Sequence, residues 1–541
     1  MIQEFPARLR VPAIIFIIYC AIFSYSHLLG VDLMEARNFV TAREMVEYNN
    51  WLLPTMNGEL RITKPPLPTW LTALAMKFAG SDANLLVNRL PTGLAALLLL
   101  FFFYKFALIY TECPETSKSS TLILATSYMF MFMSRRGNWD MMSQTFMMGT
   151  IFTLYKATKQ EKGQIAYLAA SGICAGLSVM CKGPVAMYGL LLPFLLSEFL
   201  NGEKKRYCQL WRIIGISVLI TFLISAAWPT FIYYSHPKEF SEVGVTEITS
   251  WSNRHVKPLY WYLQFPAMTG VWMLFLLPAL WMPHSSRING DRFPTAKVVA
   301  WIFISLILLS LIPEKKDRYL LPLTIPMALL IGAYINGLIK SAHESVRSFI
   351  ARHIFRFYGW LFAILSSAGI VAGFYCMVKY GFDFYLLLIT VATAAMLLSL
   401  SKMLYQQRTP DIIHYLLAFS LLTQTGAHLS NLLKKEDDYM ELLRIRQHKQ
   451  LAIKDFYSFY PGMKEVWAVG KRIHTWQPGA VKNLKDIERI IVINKQGLRP
   501  ELPGLDVNKY QIVPIEATFK HWQLYQIQKI PLAVSSKKAL E

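Results

Sequence analysis

"VDLMEARNFVTAREMVEYNNWLLPTMNGELRITKPPLPTWL" occupies residues 31–71 and follows an apolar stretch, Val11 to Leu29, that is long enough to cross a bilayer. Arg8 and Arg10 precede that stretch, and no small-x-small cleavage site follows it. It therefore reads as a retained first transmembrane helix. The quoted segment then gathers carboxylates, basic residues, Trp51 and a Lys64-Pro65-Pro66 step within a few tens of residues. Leu33 to Asn49 has helical character: Ala36, Phe39, Val40 and Val46 share one face, and Glu35, Asn38, Thr41 and Glu44 lie mostly opposite. Such a helix can lie on a membrane surface. After Lys64-Pro65-Pro66, "LPTWLTALAMKFAG" reads as a second interfacial helix, with proline tolerated in its first turn. A surface loop between two spans is the competing reading; against it, a short connector would suffice, and residues 30–86 form an unusually long, mixed-charge excursion.

Outward from that segment, the 541-residue chain is 54% hydrophobic and only 16% charged. Its mean hydropathy is +0.34. These values place it with polytopic membrane proteins rather than soluble globules. A formal charge of +21 comes with no nucleic-acid motif, so bilayer headgroups and phosphate-bearing lipids are the expected partners. Cys20, Cys113, Cys174, Cys181, Cys208 and Cys376 form no CxxC pair, which argues against a zinc knuckle or disulfide framework.

A spanning helix needs about 20 apolar residues. By that measure, spans are expected near 11–29, 87–110, 119–134, 139–156, 164–181, 183–201, 211–233, 259–283, 296–313, 319–339, 354–378, 383–401 and 411–430. With the N-terminus in the cytoplasm, the short basic loops "KATKQEKG", "NGEKKRYCQLWR", "HSSRINGDRFPTAK" and "KSAHESVRSFIARHIFR" satisfy the positive-inside rule. Residues 30–86, "SRRGNWD", Lys182-Gly183, residues 234–258, "PEKKDR" and everything after about 431 then fall on the opposite face. In a bacterium that face is the periplasm. Residues 431–541 change character: "ERIIVIN" and "YQIVPIEA" read as strands and "YMELLRIRQHKQLAIKDFYSFY" as a helix. The expected organisation is a transmembrane domain over 1–430 and a small soluble α/β domain over 431–541.

The chemistry-bearing residues collect on that one face. Asp140 stands at a membrane edge behind Arg135 and Arg136, where helix-end anchoring competes with function. Lys182 precedes Gly183-Pro184, and a tight turn does not itself require a lysine. Lys315, Lys316 and Arg318 form a cationic rim beside Tyr319, which also suits interfacial anchoring. Glu247, His255 and Lys257 precede another span, and Tyr260, Trp261 and Tyr262 read as an aromatic belt. Together these residues suit transfer from a lipid phosphate. Cations stabilise a phosphate leaving group, and a carboxylate takes a proton from an acceptor hydroxyl.

"MEARNFVTAREMVEYNNWLLPTMNGELRITKPPLPTWLTAL", "VNRLP", "NWDMMSQTF", "KGPVA" and "KKDRYLLPLTIPMALL", in that order, resemble the GT-C membrane glycosyltransferases. The likeness is to the branch of the aminoarabinose lipid A transferases and protein O-mannosyltransferases. It implies about thirteen spans, interfacial helices in the first external loop and a periplasmic C-terminal domain in the bacterial inner membrane. It also implies a polyprenyl-phosphate sugar donor, cleaved with inversion, and a lipid A phosphate, glycan or protein Ser/Thr acceptor. By the same likeness Lys64 contacts the donor phosphate; Arg37, Lys182, Lys315, Lys316 and Arg318 are candidates for that electrostatic task, beside Tyr319. Asp140 matches the family's acidic residue at the start of an early span. The family shows an Asp-Glu pair before the arginine of its first external helix; here the pair reads Met34-Glu35, with Asp32 two residues earlier. Asp32, Glu35 and Asp140 all remain candidate bases. Thr63 stands where the aminoarabinose branch often has a metal-associated Glu, leaving Glu247 and His255 as candidate ligands for a divalent metal. A transporter or flippase of lipid-linked sugars is the rival reading. Against it, the charges cluster at external helix ends rather than at mid-bilayer.

Overall fold

The computed structural model describes residues 7–24, 26, 29–202, 207–208, 211–253, 255–290, 293–343, 348–381, 384–406, 416–422, 441–447, 455–476, 490–495, 510–515 and 522–529. The chain divides into two compact units: Met1–Leu29, Ile62–Thr72 and Arg89–Lys434 form the first; Gly30–Arg61, Ala73–Asn88 and Lys435–Glu541 form the second.

The first unit is helical. Its elements begin with α1 (Ala7–Phe23), the start of α3 (Leu67–Ala79) and α4 (Leu85–Thr111), then α5 (Pro114–Ala125), α6 (Tyr128–Ser134), α7 (Trp139–Lys159) and α8 (Gln164–Lys182). A π-helical turn (Met187–Leu191) leads into α9 (Leu192–Leu200), followed by α10 (Trp211–Ser235) and α11 (Pro237–Asn253). A 3-10 helix (Leu259–Trp272) precedes α12 (Met273–Leu280), α13 (Met282–Asn289) and α14 (Thr295–Leu311). After a short 3-10 turn (Asp317–Leu320) come α15 (Leu321–His343), α16 (Ser348–Tyr380) and α17 (Phe384–Tyr405).

Among the described residues seven helices are long and apolar enough to cross a membrane, and three more apolar helices are shorter. The expected span at 119–134 is instead two short helices, α5 and α6. They part at Thr126-Ser127, whose hydroxyls bond back to the carbonyls of Leu122 and Ile123. Ser420 Oγ donates to the Thr126 carbonyl at 2.7 Å, and Trp272 Nε1 donates to its hydroxyl at 3.1 Å. The break is thus satisfied inside the bundle, as buried polar groups require. The expected span at 139–156 corresponds to α7, which carries Asp140, Gln144 and several Ser and Thr residues and falls outside the seven. The expected span at 411–430 lies mostly outside the described residues.

Burial separates two kinds of helix. The window around α15 is 89% buried within the protein, whereas those of α16 and α17 are 17% buried. Such exposed apolar faces on helices of this length suit a hydrocarbon environment. α8 and α10 approach closely through Gly172 and Gly176, four residues apart: a Cβ on either would collide with Ser217, Ile220 or Ile224 of α10. Small residues at this spacing let membrane helices pack closely.

The second unit holds α2 (Leu33–Tyr48), the hairpin β1 (Thr55–Met56) and β2 (Glu59–Leu60), and a five-stranded sheet. The sheet strands are β3 (Asp455–Ser458), β4 (Ile473–Thr475), β5 (Ile490–Lys495), β6 (Tyr510–Pro514) and β7 (Trp522–Lys529), in the order β4-β3-β5-β7-β6. β3 runs parallel to β4 and β5; β7 runs antiparallel to β5 and β6. Of the helix expected over "YMELLRIRQHKQLAIKDFYSFY", Leu443–Gln447 form a 3-10 helix and Asp455–Ser458 form strand β3, while residues 448–454 lie outside the described residues. In β3, Phe456 and Ser458 are buried in alternation, and Phe456 pairs with Ile473 and Ile491. Sheet pairing here overrides a helical pattern.

The hairpin turns at Asn57-Gly58, both with positive φ, as two-residue hairpins favour. Asn57 then pairs its side-chain amide with both backbone groups of Ile473 at 2.8 and 2.9 Å, extending the sheet at β4. Replacing Gly172 with leucine is expected to lower the stability of the detergent-solubilised protein by about 1–3 kcal/mol, read as a fall in Tm. An unchanged Tm would show that α8 and α10 do not depend on that approach.

Candidate functional site

α7 and α8 pack against each other so that the first turn of α7 meets the last residue of α8. Asp140 lies in that first turn and Lys182 ends α8, placing each charge where the helix dipole favours it. The two form an ion pair with side chains 7% and 8% exposed. Arg318 Nε lies 3.7 Å from the other oxygen, Asp140 Oδ2. Lys182 therefore exists in "KGP" because a buried carboxylate faces it. Gly183 closes α8 at φ 74°, ψ −166° and donates to the Val179 carbonyl at 2.7 Å. That backbone conformation is essentially restricted to glycine.

Tyr319 gathers the remaining cations. Its ring lies 4.5 Å from Lys182 Nζ, 5.7 Å from Lys316 Nζ and 5.8 Å from the Arg318 guanidinium carbon. Lys316 pairs with Glu314. Lys315 is buried and donates from Nζ to the Ile312 carbonyl at 2.7 Å. The strap 313–316 is held against 255–257 by backbone pairing: Lys257 N to Pro313 O at 3.3 Å and Lys315 N to His255 O at 3.1 Å. His255 takes positive φ there and is exposed.

Lys64 Nζ lies 2.9 Å from Glu247 Oε2, with both side chains partly exposed. It is near enough to Lys182 for their like charges to interact. Lys64, Glu247, Asp140, Lys182, Arg318, Tyr319 and Lys316 are thus linked in one unit. As a metal pair, Glu247 and His255 do not fit. The Glu247 carboxylate faces an ammonium, and among the described residues no three His, Cys, Asp or Glu side chains converge as ligands.

Tyr262 corrects the aromatic-belt expectation. It is fully buried, and its hydroxyl accepts from Lys316 N at 3.0 Å and donates to Lys316 O at 3.1 Å. Tyr262, Phe265 and Met268 recur every three residues and are all buried, the period of the 3-10 helix they occupy. That spacing was the available sequence signal for Tyr262. Glu314 is the other residue overlooked, and a lone carboxylate among lysines gave little signal. Arg135 proves to be an anchor: it is buried and donates to the carbonyls of Cys20 and Ala21 at 2.9 Å, closing the end of α1.

Asp32, Glu35 and Arg37 belong to the second unit. Asp32 caps α2: its Oδ1 accepts from Met34 N at 2.7 Å and Glu35 N at 2.8 Å, and Glu35 Oε2 accepts from Asp32 N at 3.2 Å. This is a reciprocal capping box. The polar residues opposite the apolar face are buried too: from Glu35 to Met45 every residue of α2 is buried apart from Arg37. Glu44 accepts from the Thr55 hydroxyl at 2.6 Å and from Gly58 N at 3.1 Å. Arg61 donates to Arg37 O at 3.1 Å and to Thr41 Oγ1 at 2.8 Å. Burial, with the neighbouring Arg37 charge, lowers its pKa to about 9, so it remains a cation at neutral pH. Arg37 Nε is buried and has no hydrogen-bond partner among the described residues.

The structure aligns over 96% of this chain and 97% of ArnT from Cupriavidus metallidurans bound to undecaprenyl phosphate, with TM-score 0.73 and 13% identity. The chain has the fold of the GT-C membrane glycosyltransferases. The apo form of the same ArnT aligns with TM-score 0.71 and 14% identity. The profile of the family described as dolichyl-phosphate-mannose-protein mannosyltransferase matches residues 63–228. An undecaprenyl phosphate-alpha-4-amino-4-deoxy-L-arabinose arabinosyl transferase of Pseudomonas savastanoi pv. phaseolicola is 24% identical over 360 residues. That match spans 64% of this chain and 63% of the relative, less than two thirds of its length. The resemblance read from the sequence, to aminoarabinose transferases and protein mannosyltransferases, therefore holds.

Lys182→Met alone is expected to destabilise the protein by about 3–5 kcal/mol by leaving a buried charge under-compensated. The double variant with Asp140→Asn should recover part of that loss. A thermal double-mutant cycle checks it; additive effects would deny the pair.

Proposed function

We propose that this chain is an inverting glycosyltransferase that moves a sugar from a polyprenyl-phosphate donor to an acceptor at the periplasmic face of the bacterial inner membrane. The observation that carries the reading is the buried Asp140–Lys182–Arg318 cluster beside Tyr319 and near Lys64. An undecaprenyl phosphate is present in the ArnT structure whose fold this chain shares. Residues 1–430 would form the catalytic membrane domain, with 30–86 as its first periplasmic loop and 431–541 as a periplasmic α/β domain. The N-terminus would be cytoplasmic.

In the proposed step the bond between the anomeric carbon and the phosphate oxygen breaks, and its electron pair remains on the phosphate. Lys64 and Lys182, with Arg318, Lys315 and Lys316, neutralise that charge; fixed cations in a water-poor site do so effectively. The acceptor oxygen bonds to the opposite face of the sugar. A hydroxyl acceptor passes its proton to a carboxylate, whereas a phosphate acceptor is already ionised near neutral pH. The acceptor is a lipid A phosphate, another glycan or a protein hydroxyl. The rival flippase reading draws no support from these relatives, which are named as transferases.

Among the candidate bases, Asp32 and Glu35 are engaged in the cap of α2 and Asp140 in the cation cluster. Lys64→Ala is expected to lower transfer from an undecaprenyl-phosphate sugar by about 10²–10³-fold. Full activity in that variant would overturn the assignment of Lys64. Asn is as good an N-cap as Asp, so Asp32→Asn should keep activity within about twofold, whereas Asp140→Asn should lose about 10²-fold. The reverse pattern would assign the base to Asp32.

A further inference from the structure

The π-helical turn Met187–Leu191 begins five residues after Lys182. Its wider ring shifts the amide–carbonyl register, as the Leu192 N–H bonding to Met187 O shows. The turn is fastened to α14 at two points. Ser305 Oγ, fully buried, donates to the Gly189 carbonyl at 2.6 Å. Tyr188 OH donates to the Leu308 carbonyl at 2.7 Å. Gly189 faces both neighbouring helices: a Cβ there would stand 3.4 Å from Leu309 of α14 and from Pro322 of α15.

α14 ends at Leu311 and runs directly into Glu314, Lys315, Lys316 and Arg318. Two short chain segments therefore leave this junction for the site. One leads back through Gly183 to Lys182, and the other leads forward to Arg318. Both cations meet the same carboxylate, Asp140. A hydroxyl in an apolar helix such as α14 ordinarily bonds back to its own backbone. Ser305 bonds across to another segment instead.

We infer that Ser305 and Tyr188 are positioning residues that set the spacing between Lys182 and Arg318 by pinning the π turn to α14. This rests on the proposed transferase reading. Neither side chain contacts the substrate in this account. Their effect reaches the reaction through the two cations: shifted but still present, these hold the single charge of the donor yet stabilise less well the charge that grows on the phosphate as the bond breaks, so the effect falls more on turnover than on donor affinity.

The test compares Ser305→Ala, Ser305→Thr and Tyr188→Phe in the purified full-length protein, with two readouts. The first is steady-state transfer from an undecaprenyl-phosphate sugar, with Tm measured alongside. Displacements of about 1 Å can reduce rates about 10²-fold, so kcat in Ser305→Ala and Tyr188→Phe should fall by about ten- to a hundred-fold with KM within about twofold. Ser305→Thr keeps the hydroxyl and should keep kcat. Unchanged kcat in Ser305→Ala, or equal losses in Ala and Thr accompanied by a fall in Tm, would overturn the inference. The second readout is amine labelling of Lys182, followed by mass spectrometry, which needs no activity. Labelling should speed up several-fold in Ser305→Ala, and an unchanged rate would contradict the positioning role. Should the wild type transfer no sugar, the transferase reading fails while the labelling still decides the role of Ser305.

Discussion

The Asp140 carboxylate between Lys182 and Arg318 is the constraint on which the site depends. In a nearly water-free setting, a carboxylate and an ammonium are each strongly disfavoured alone and tolerable together. Their pairing therefore requires three segments to arrive together: the start of α7, the end of α8 and the strap before α15. Gly183 lets α8 stop at the lysine, and Tyr262 holds the strap by the backbone of Lys316. Glu314 and Glu247 pair with Lys316 and Lys64. Each carboxylate stands where an anionic ligand could compete for its cation, which gives the cluster a direct route to phosphate binding.

Much of this was legible in the sequence because its signals are local. Long apolar runs mark the major helices, and "ERIIVIN" and "YQIVPIEA" mark β5 and β6. Lys182 stood out because a Gly-Pro turn gives no reason for a lysine. The sequence could not supply its partner: Asp140 is forty-two positions away, and their contact arises from the packing of α7 on α8. The division of α5 from α6 was equally hidden, since Ser420 and Trp272 satisfy it from remote segments. Strand β3 was misread as helix because its partners, β4 and β5, lie downstream.

The acidic residues at the head of α2 carry a different lesson. "VDLMEAR" departs from the family's Asp-Glu pair, yet Asp32 and Glu35 are bound to each other's backbone as a capping box. That arrangement accounts for both carboxylates by helix physics alone. Arg37, one turn on, is otherwise: its backbone carbonyl holds Arg61, while its buried Nε has no hydrogen-bond partner among the described residues.

The central claim is that the cation cluster takes the phosphate of a polyprenyl lipid. Native mass spectrometry of the detergent-purified protein with undecaprenyl phosphate tests it most directly. One lipid phosphate per chain should be retained, and lost in a Lys182→Gln/Arg318→Gln variant that stays folded. Equal retention by that variant and the wild type, or no retention by the wild type, would contradict the claim.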